Sequence, residues 1–184
     1  SLVGSEMCIR DRGPRALLAE LDPAVPVIEV GKAPGNHLAT QDEINAVLVR
    51  EARAGRLVVR LKGGDPYVLG RGGEEAAHCR GHGVDVEVVP GVTSAVSVPA
   101  AAGIPVTHRG VATGFTLVTG HEELAEVPTR ADHTLVLLMG VRRLADTARR
   151  LTERGLDGAT PVAIIERGWM PDQRVTVGTV ETLS

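Results

Sequence analysis

The chain has 184 residues, 43% hydrophobic and 23% charged, with a formal net charge of −3. No apolar run approaches the roughly 20 residues that cross a bilayer, so a membrane-spanning chain is not expected. Charge of neither sign is clustered, and Tyr67, Phe115 and Trp169 are the whole aromatic complement, which argues against a nucleic-acid partner: phosphate binding needs grouped cations and strand binding needs stacking rings.

Residues 1–12, SLVGSEMCIRDR, lack the basic start and long apolar stretch of a secretory signal. They read as translated sequencing-adapter sequence joined to an incomplete reading frame, and are expected to contribute little to the fold. Val25–Val30 (VPVIEV) is rich in β-branched residues and reads as a strand. Thr40-Gln-Asp-Glu43 is a capping box, and Ile44, Val47 and Leu48 share one face of the helix it opens, which Gly55 ends. Arg56–Leu61 is the next strand. A polar helix over Gly73–Arg80, a strand over Val84–Val89 and an apolar helix over Thr93–Ala102 follow.

Gly103–Gly114, without clear periodicity, reads as a linker. Beyond it, Phe115–Thr119, Thr134–Met139 and Pro161–Glu166 read as strands, and Val141–Arg154 as a helix stopped by Gly155. Arg174–Val180 alternates apolar and polar residues, as an antiparallel strand does. Strands alternating with helices predict an α/β fold with a mainly parallel first sheet, and two domains spanning 13–110 and 111–184.

Leu61–Glu75 (LKGGDPYVLGRGGEE) is the sharpest local signal. Two glycines at a strand end let backbone approach a ligand, and Asp65 places a carboxylate where open α/β sheets bind their ligands. A Gly-Asp-Pro turn closed by an Asx-type bond explains the same residues, and spacing alone does not choose. In Pro90-Gly91-Val92-Thr93-Ser94-Ala95, the hydroxyls of Thr93 and Ser94 suit either a helix cap or a polar ligand. Lys32, Lys62, Arg71, His108 and Arg109 fall near expected loops, where a surface position accounts for any one of them and an acidic substrate would account for several together. Cys8 and Cys79 lie far apart, and the six histidines lack H-E-x-x-H spacing, so neither a disulfide framework nor a metal site is expected. Free thiols suit a reducing cytoplasm. A serine-nucleophile G-x-S-x-G elbow is absent.

The strings VGKAPGNH, QDEINAVLVREA, VVRLKGGDPYVLGRGGEE, VEVVPGVTSA, AGIPVTHR, TLVLLMGV and PVAIIERG, in this order, resemble the tetrapyrrole methylases. Within them, the combination of VGK, QDEIN, GGDPYVLGRGGEE and GIPVTHR is most similar to the uroporphyrinogen-III C-methyltransferases. The resemblance implies two α/β domains, the second with a mixed sheet, and S-adenosyl-L-methionine held between them. It implies donor contacts from Gly63, Gly64 and Asp65, with Val68 beside the ligand, Thr93 and Ser94 on the next loop, and Met139 and Gly168 from the second domain. Lys32 matches the proposed proton donor, and Asp11 stands near the place of an acidic proton acceptor.

The implied reaction is C-methylation of uroporphyrinogen III to precorrin-1 and then precorrin-2, releasing S-adenosyl-L-homocysteine without a metal, toward sirohaem or cobalamin. Arg71 and Arg109 are candidate anchors for substrate carboxylates. A cytoplasmic homodimer is expected from the same likeness. Two departures stand out: the family's first strand with its G-x-G-P-G-D loop is not found, and Tyr67-Val68-Leu69 replaces Phe-Val-Phe. The chain is also expected to stop before the family's last strand. The alternatives are a sister methylase acting on a later precorrin or on diphthamide, and a fragment that binds the nucleoside without catalysis.

Overall fold

The computed structural model describes residues 4–10, 15–31, 39–120, 124 and 127–183. Asp11 and Lys32 lie outside them. The chain forms two compact units, Ser1–Thr93 and Ser94–Ser184.

The first unit holds a parallel sheet of β1 (Met7–Arg10), β2 (Val27–Glu29) and β3 (Val58–Leu61), in the order β2-β1-β3. The expectation that residues 1–12 stand apart from the fold fails here. β1 is the central strand: Ile9 pairs with Ile28 on one side and Arg60 on the other, and Cys8 and Ile9 are fully buried. All four residues of β1 are buried, and a strand covered on both faces shows no apolar-polar alternation, which is why Met-Cys-Ile gave no periodic signal.

α1 (Gln41–Arg53) starts at the capping box foreseen from sequence. The Thr40 hydroxyl accepts the Glu43 N–H at 3.2 Å, and the Glu43 carboxylate accepts the Thr40 N–H at 2.6 Å. Its Ile44, Leu48 and Val49 join Met7, Ile9, Val30 and Cys79 in the core, with α2 (Gly72–Gly81) supplying Cys79. The strand expected over Val84–Val89 does not form. Val84 and Val86 pack against that core, but no ladder partner meets the segment among the described residues. Alternation supplied the burial, and burial alone does not make a strand.

The second unit opens with α3 (Ser94–Ala101). A parallel pair follows, β4 (Gly114–Thr119) with β5 (His133–Leu138), and then α4 (Leu144–Glu153). An antiparallel pair completes it, β6 (Pro161–Glu166) with β7 (Arg174–Thr179). Among the described residues both strand orientations are present, in separate two-stranded sheets and not in one mixed sheet. Leu124, Val127 and Leu151 form its buried cluster, flanked by Val118, Leu135 and Leu137. The helix read over Val141–Arg154 resolves into a short 3-10 turn, Val141–Arg143, and α4.

The compact units divide at Thr93, ahead of the linker read at Gly103–Gly114, because α3 is fastened to the loop after β6. The Trp169 indole N–H donates to the Ser97 carbonyl at 2.7 Å, the Gln173 amide donates to Ala101, and Gly168 sits against Val98. No helix among the described residues is long and apolar enough to cross a membrane.

Candidate functional site

β1 and β3 run parallel, so their carboxyl ends lie on one edge of the first sheet, where ligands of open α/β sheets bind. The chain leaves β3 there through Lys62-Gly63-Gly64-Asp65. Gly64 has φ +70°, a conformation glycine adopts without strain. Gly63 and Gly64 are exposed, and a side chain built on Gly63 would meet nothing within 4 Å.

Asp65 ties this corner together. Its Oδ1 accepts the Tyr67 N–H at 2.8 Å, closing the Asx-type turn, and its Oδ2 accepts the Gly91 N–H at 3.1 Å. Gly91 passes so close to the Gly64 carbonyl that a methyl group there would overlap it. The two corners that the sequence singled out, Gly63–Asp65 and Pro90–Ser94, are therefore one backbone junction within the first unit as far as Thr93. Both oxygens of Asp65 are engaged in holding it. What the corner leaves exposed is the glycine backbone of Gly63 and Gly64 beside the carboxylate.

The loop then folds back over itself. Gly72 N–H donates to the Pro66 carbonyl at 3.0 Å, and a side chain on Gly72 would overlap that carbonyl. Leu69 and Arg71 sit at φ +50° and +57°, left-handed positions that cost non-glycine residues energy. Val68 is half-buried within this turn and donates to the Asp65 carbonyl at 3.3 Å.

Arg71 is exposed and forks onto Glu74, with 3.0 and 2.7 Å contacts. That bond, more than any other influence, holds the Arg71 guanidinium above its ordinary range and the Glu74 carboxyl below its own. A bidentate partner of this kind keeps the guanidinium plane fixed while its remaining N–H groups face water.

Beneath the loop lies a charged cluster that sequence reasoning missed. Glu75, 4% exposed, accepts from Gln41, Arg60 and Lys62. The only trace of it in the sequence was the Glu-Glu pair at the start of α2. Cys8, in the strand next to Arg60, has its thiol pushed up by burial, with Arg10 and Arg60 opposing. Among the described residues no group of three His, Cys, Asp or Glu side chains could hold a metal ion.

In the second unit, Ser94 is the first residue of α3. Met139 follows β5, 55% exposed and at φ +59°. Gly140 behind it lies against Gly120 at the end of β4, where a side chain on Gly120 would overlap the Gly140 backbone. This glycine contact draws two parallel strand ends together, a second corner of the kind that takes ligands. Gly168 follows β6 between Arg167 and Trp169, both at positive φ, and faces the Val98 methyls. Arg109 is exposed in a tight turn closed by His108 and Ala112.

Known proteins share this arrangement of chain and motifs. The family model of tetrapyrrole (corrin/porphyrin) methylases matches residues 5–184, a span that takes in β1. An S-adenosyl-L-methionine-dependent uroporphyrinogen III methyltransferase from Methanosarcina barkeri is 48% identical over 98% of this chain and 74% of its own. A uroporphyrinogen-III C-methyltransferase from Methanobacterium ivanovii is 50% identical over 86% of this chain and 70% of its own. Among solved structures, uroporphyrin-III C-methyl transferase from Thermus thermophilus complexed with S-adenyl homocysteine superposes with a TM-score of 0.81 at 40% identity, covering 99% of this chain and 75% of that one. With the family model matching nearly the whole chain and relatives near half-identical, the chain belongs to the tetrapyrrole methylase family.

Proposed function

We propose that this chain carries S-adenosyl-L-methionine-dependent C-methylation of uroporphyrinogen III, forming precorrin-2 by way of precorrin-1. The observation that carries the reading is the 48–50% identity, over 86–98% of the chain, to relatives named for that reaction. The exposed glycine corner after β3, stitched to Gly91 by Asp65, suits a nucleoside donor that needs close backbone contact.

The donor supplies an already electrophilic methyl group, so the protein's work is to bind, orient and exclude water. Orientation of two bound reactants is worth about 7–11 kcal/mol in favourable cases. In this reading Gly63, Gly64, Asp65, Val68 and Thr93 of the first unit, with Ser94, Met139 and Gly168 of the second, take the donor. Arg71 and Arg109 hold substrate carboxylates. Lys32 gives a proton, and Asp11 accepts one. Arg71 enters this role with its plane already set by Glu74.

We further take the enzyme to be a cytoplasmic homodimer. The free, buried thiols of Cys8 and Cys79 suit a reducing compartment, and light scattering on the purified chain tests the dimer.

The deciding experiment incubates the chain with methyl-labelled donor and a panel of uroporphyrinogen III, later precorrins and the diphthamide precursor. Label is expected in precorrin-1 and precorrin-2 alone. Transfer to a later corrinoid, with none to uroporphyrinogen III, overturns the substrate assignment.

A further inference from the structure

Lys62 precedes the glycine corner and, read from sequence, belongs with cations open to an acidic substrate. In the structure its ammonium is turned inward. Nζ donates to both oxygens of Glu75 at 3.1 Å, and the two side chains are 10% and 5% exposed. Glu75 Oε1 also accepts from Arg60 Nη2 at 3.1 Å and from Gln41 Nε2 at 3.2 Å. One carboxylate near the start of α2 thus gathers donors from α1, from β3 and from the residue that begins the corner.

The stem of Lys62 matters as much as its head. Its Cε lies 3.5 Å from where a side chain on Gly70 would begin, so the stem runs beneath the returning limb of the loop. The corner has little packing of its own, since Gly63 and Gly64 carry no side chains. Its outgoing limb starts from Lys62, and its returning limb rests on the same side chain. A buried ammonium goes where its counter-charge is, because leaving it unpaired is costly.

We propose that Glu75 is a positioning residue which, through Lys62, sets the geometry of the Gly63–Asp65 corner and thereby the affinity for the methyl donor. This rests on the reading of that corner as donor-binding. Glu51 provides an internal comparison. It is also a buried glutamate, bound by Arg50 at 2.8 Å and Arg56 at 3.3 Å, but it stands near the far end of α1 and meets no residue of the corner.

The test is calorimetric titration of S-adenosylhomocysteine into the unaltered chain, Glu75→Gln, Lys62→Met, the Lys62→Met/Glu75→Gln pair and Glu51→Gln. Each is titrated at a temperature where circular dichroism shows it folded. Lys62→Met leaves Glu75 paired with Arg60 and Gln41, so it decides the matter should Glu75→Gln not fold. Affinity is expected to fall about 10- to 100-fold in both single variants, by analogy with outer-shell partners that orient metal ligands. The paired variant is expected to lose no more than either single one, as groups acting as a unit do. Glu51→Gln is expected to lower the melting temperature while binding within twofold of the unaltered chain. In turnover, donor KM rises in Lys62→Met while kcat at saturating donor holds.

Binding within twofold of normal in Lys62→Met overturns the proposal and leaves the donor reading standing. So does an equal loss in Glu51→Gln. No binding by the unaltered chain removes the donor reading itself, and this proposal with it.

Discussion

Asp65 and Gly91 are joined across two loops, the Oδ2 of one accepting the backbone N–H of the other at 3.1 Å, while Oδ1 of the same carboxylate holds Tyr67. Alanine at position 65 leaves two surface N–H groups to water in place of their carboxylate acceptor, at a net cost of about 0.5–1.5 kcal/mol for each bond. The denaturant midpoint of Asp65→Ala is expected to drop with little change in slope, and S-adenosylhomocysteine binding to weaken with it. Unchanged donor binding in a folded Asp65→Ala chain would take the corner out of the site.

Gly168 has a packing reason to be glycine. A methyl group there would come within 2.9 Å of both Val98 methyl carbons. Gly168→Ala is expected to destabilise by about 1–3 kcal/mol through overpacking, and Val98→Ala in the same chain to recover most of that loss. Thermal unfolding of the single and double variants checks the coupling. Strict additivity would mean that α3 and the loop after β6 are not packed as described.

Thr40→Ala removes the side-chain half of the capping box on α1. A loss of about 1 kcal/mol is expected, read from urea unfolding, with Thr40→Ser near the unaltered value. The cap lies at the end of α1 that also carries Gln41, which donates to Glu75 at 3.2 Å. Fraying there is expected to show as faster amide exchange over Gln41–Asn45.

The thiols of Cys8 and Cys79 carry a pH signature. Burial raises both above their ordinary range, since the thiolate is the form that desolvation penalises. The folded chain therefore keeps these protons at a pH where the unfolded chain has begun to release them. Their contribution is whole below the ordinary thiol range and is lost as pH rises through it toward the raised values. Urea unfolding across that range is expected to show a steeper fall for the unaltered chain than for Cys8→Ala/Cys79→Ala. Native thiols are also expected to resist an aromatic disulfide reagent until the chain unfolds.

What sequence could reveal depended on whether the cause was local. The capping box at Thr40 and Glu43, the amphipathic α1 and the alternating β7 are each set by neighbours within a few residues, and each formed as read. The Asx-type turn at Asp65 was one of two readings left open, and it too is local, with Tyr67 two residues on. The bond from Asp65 to Gly91 was not, because it spans 26 residues and ends on a backbone N–H that no side chain announces. Glu75 escaped for a related reason: its partners come from α1, β3 and the loop after β3, and only the fold gathers them. Val84–Val89 shows the opposite error: it was read as a strand from its own residues, and Val84 and Val86 do pack on the core, but the neighbouring strand that would have made it a ladder is not found among the described residues.

Tyr67 is the single tyrosine and Trp169 the single tryptophan of the chain, and they fall in different compact units. Tyr67 borders the Asp65 turn, while the Trp169 indole is pinned to the Ser97 carbonyl yet 69% exposed. The molecule thus carries its own optical probe. Indole emission, excited to the red of phenol absorption, reports the α3 corner alone, so melting there can be set against whole-chain circular dichroism in one unlabelled sample.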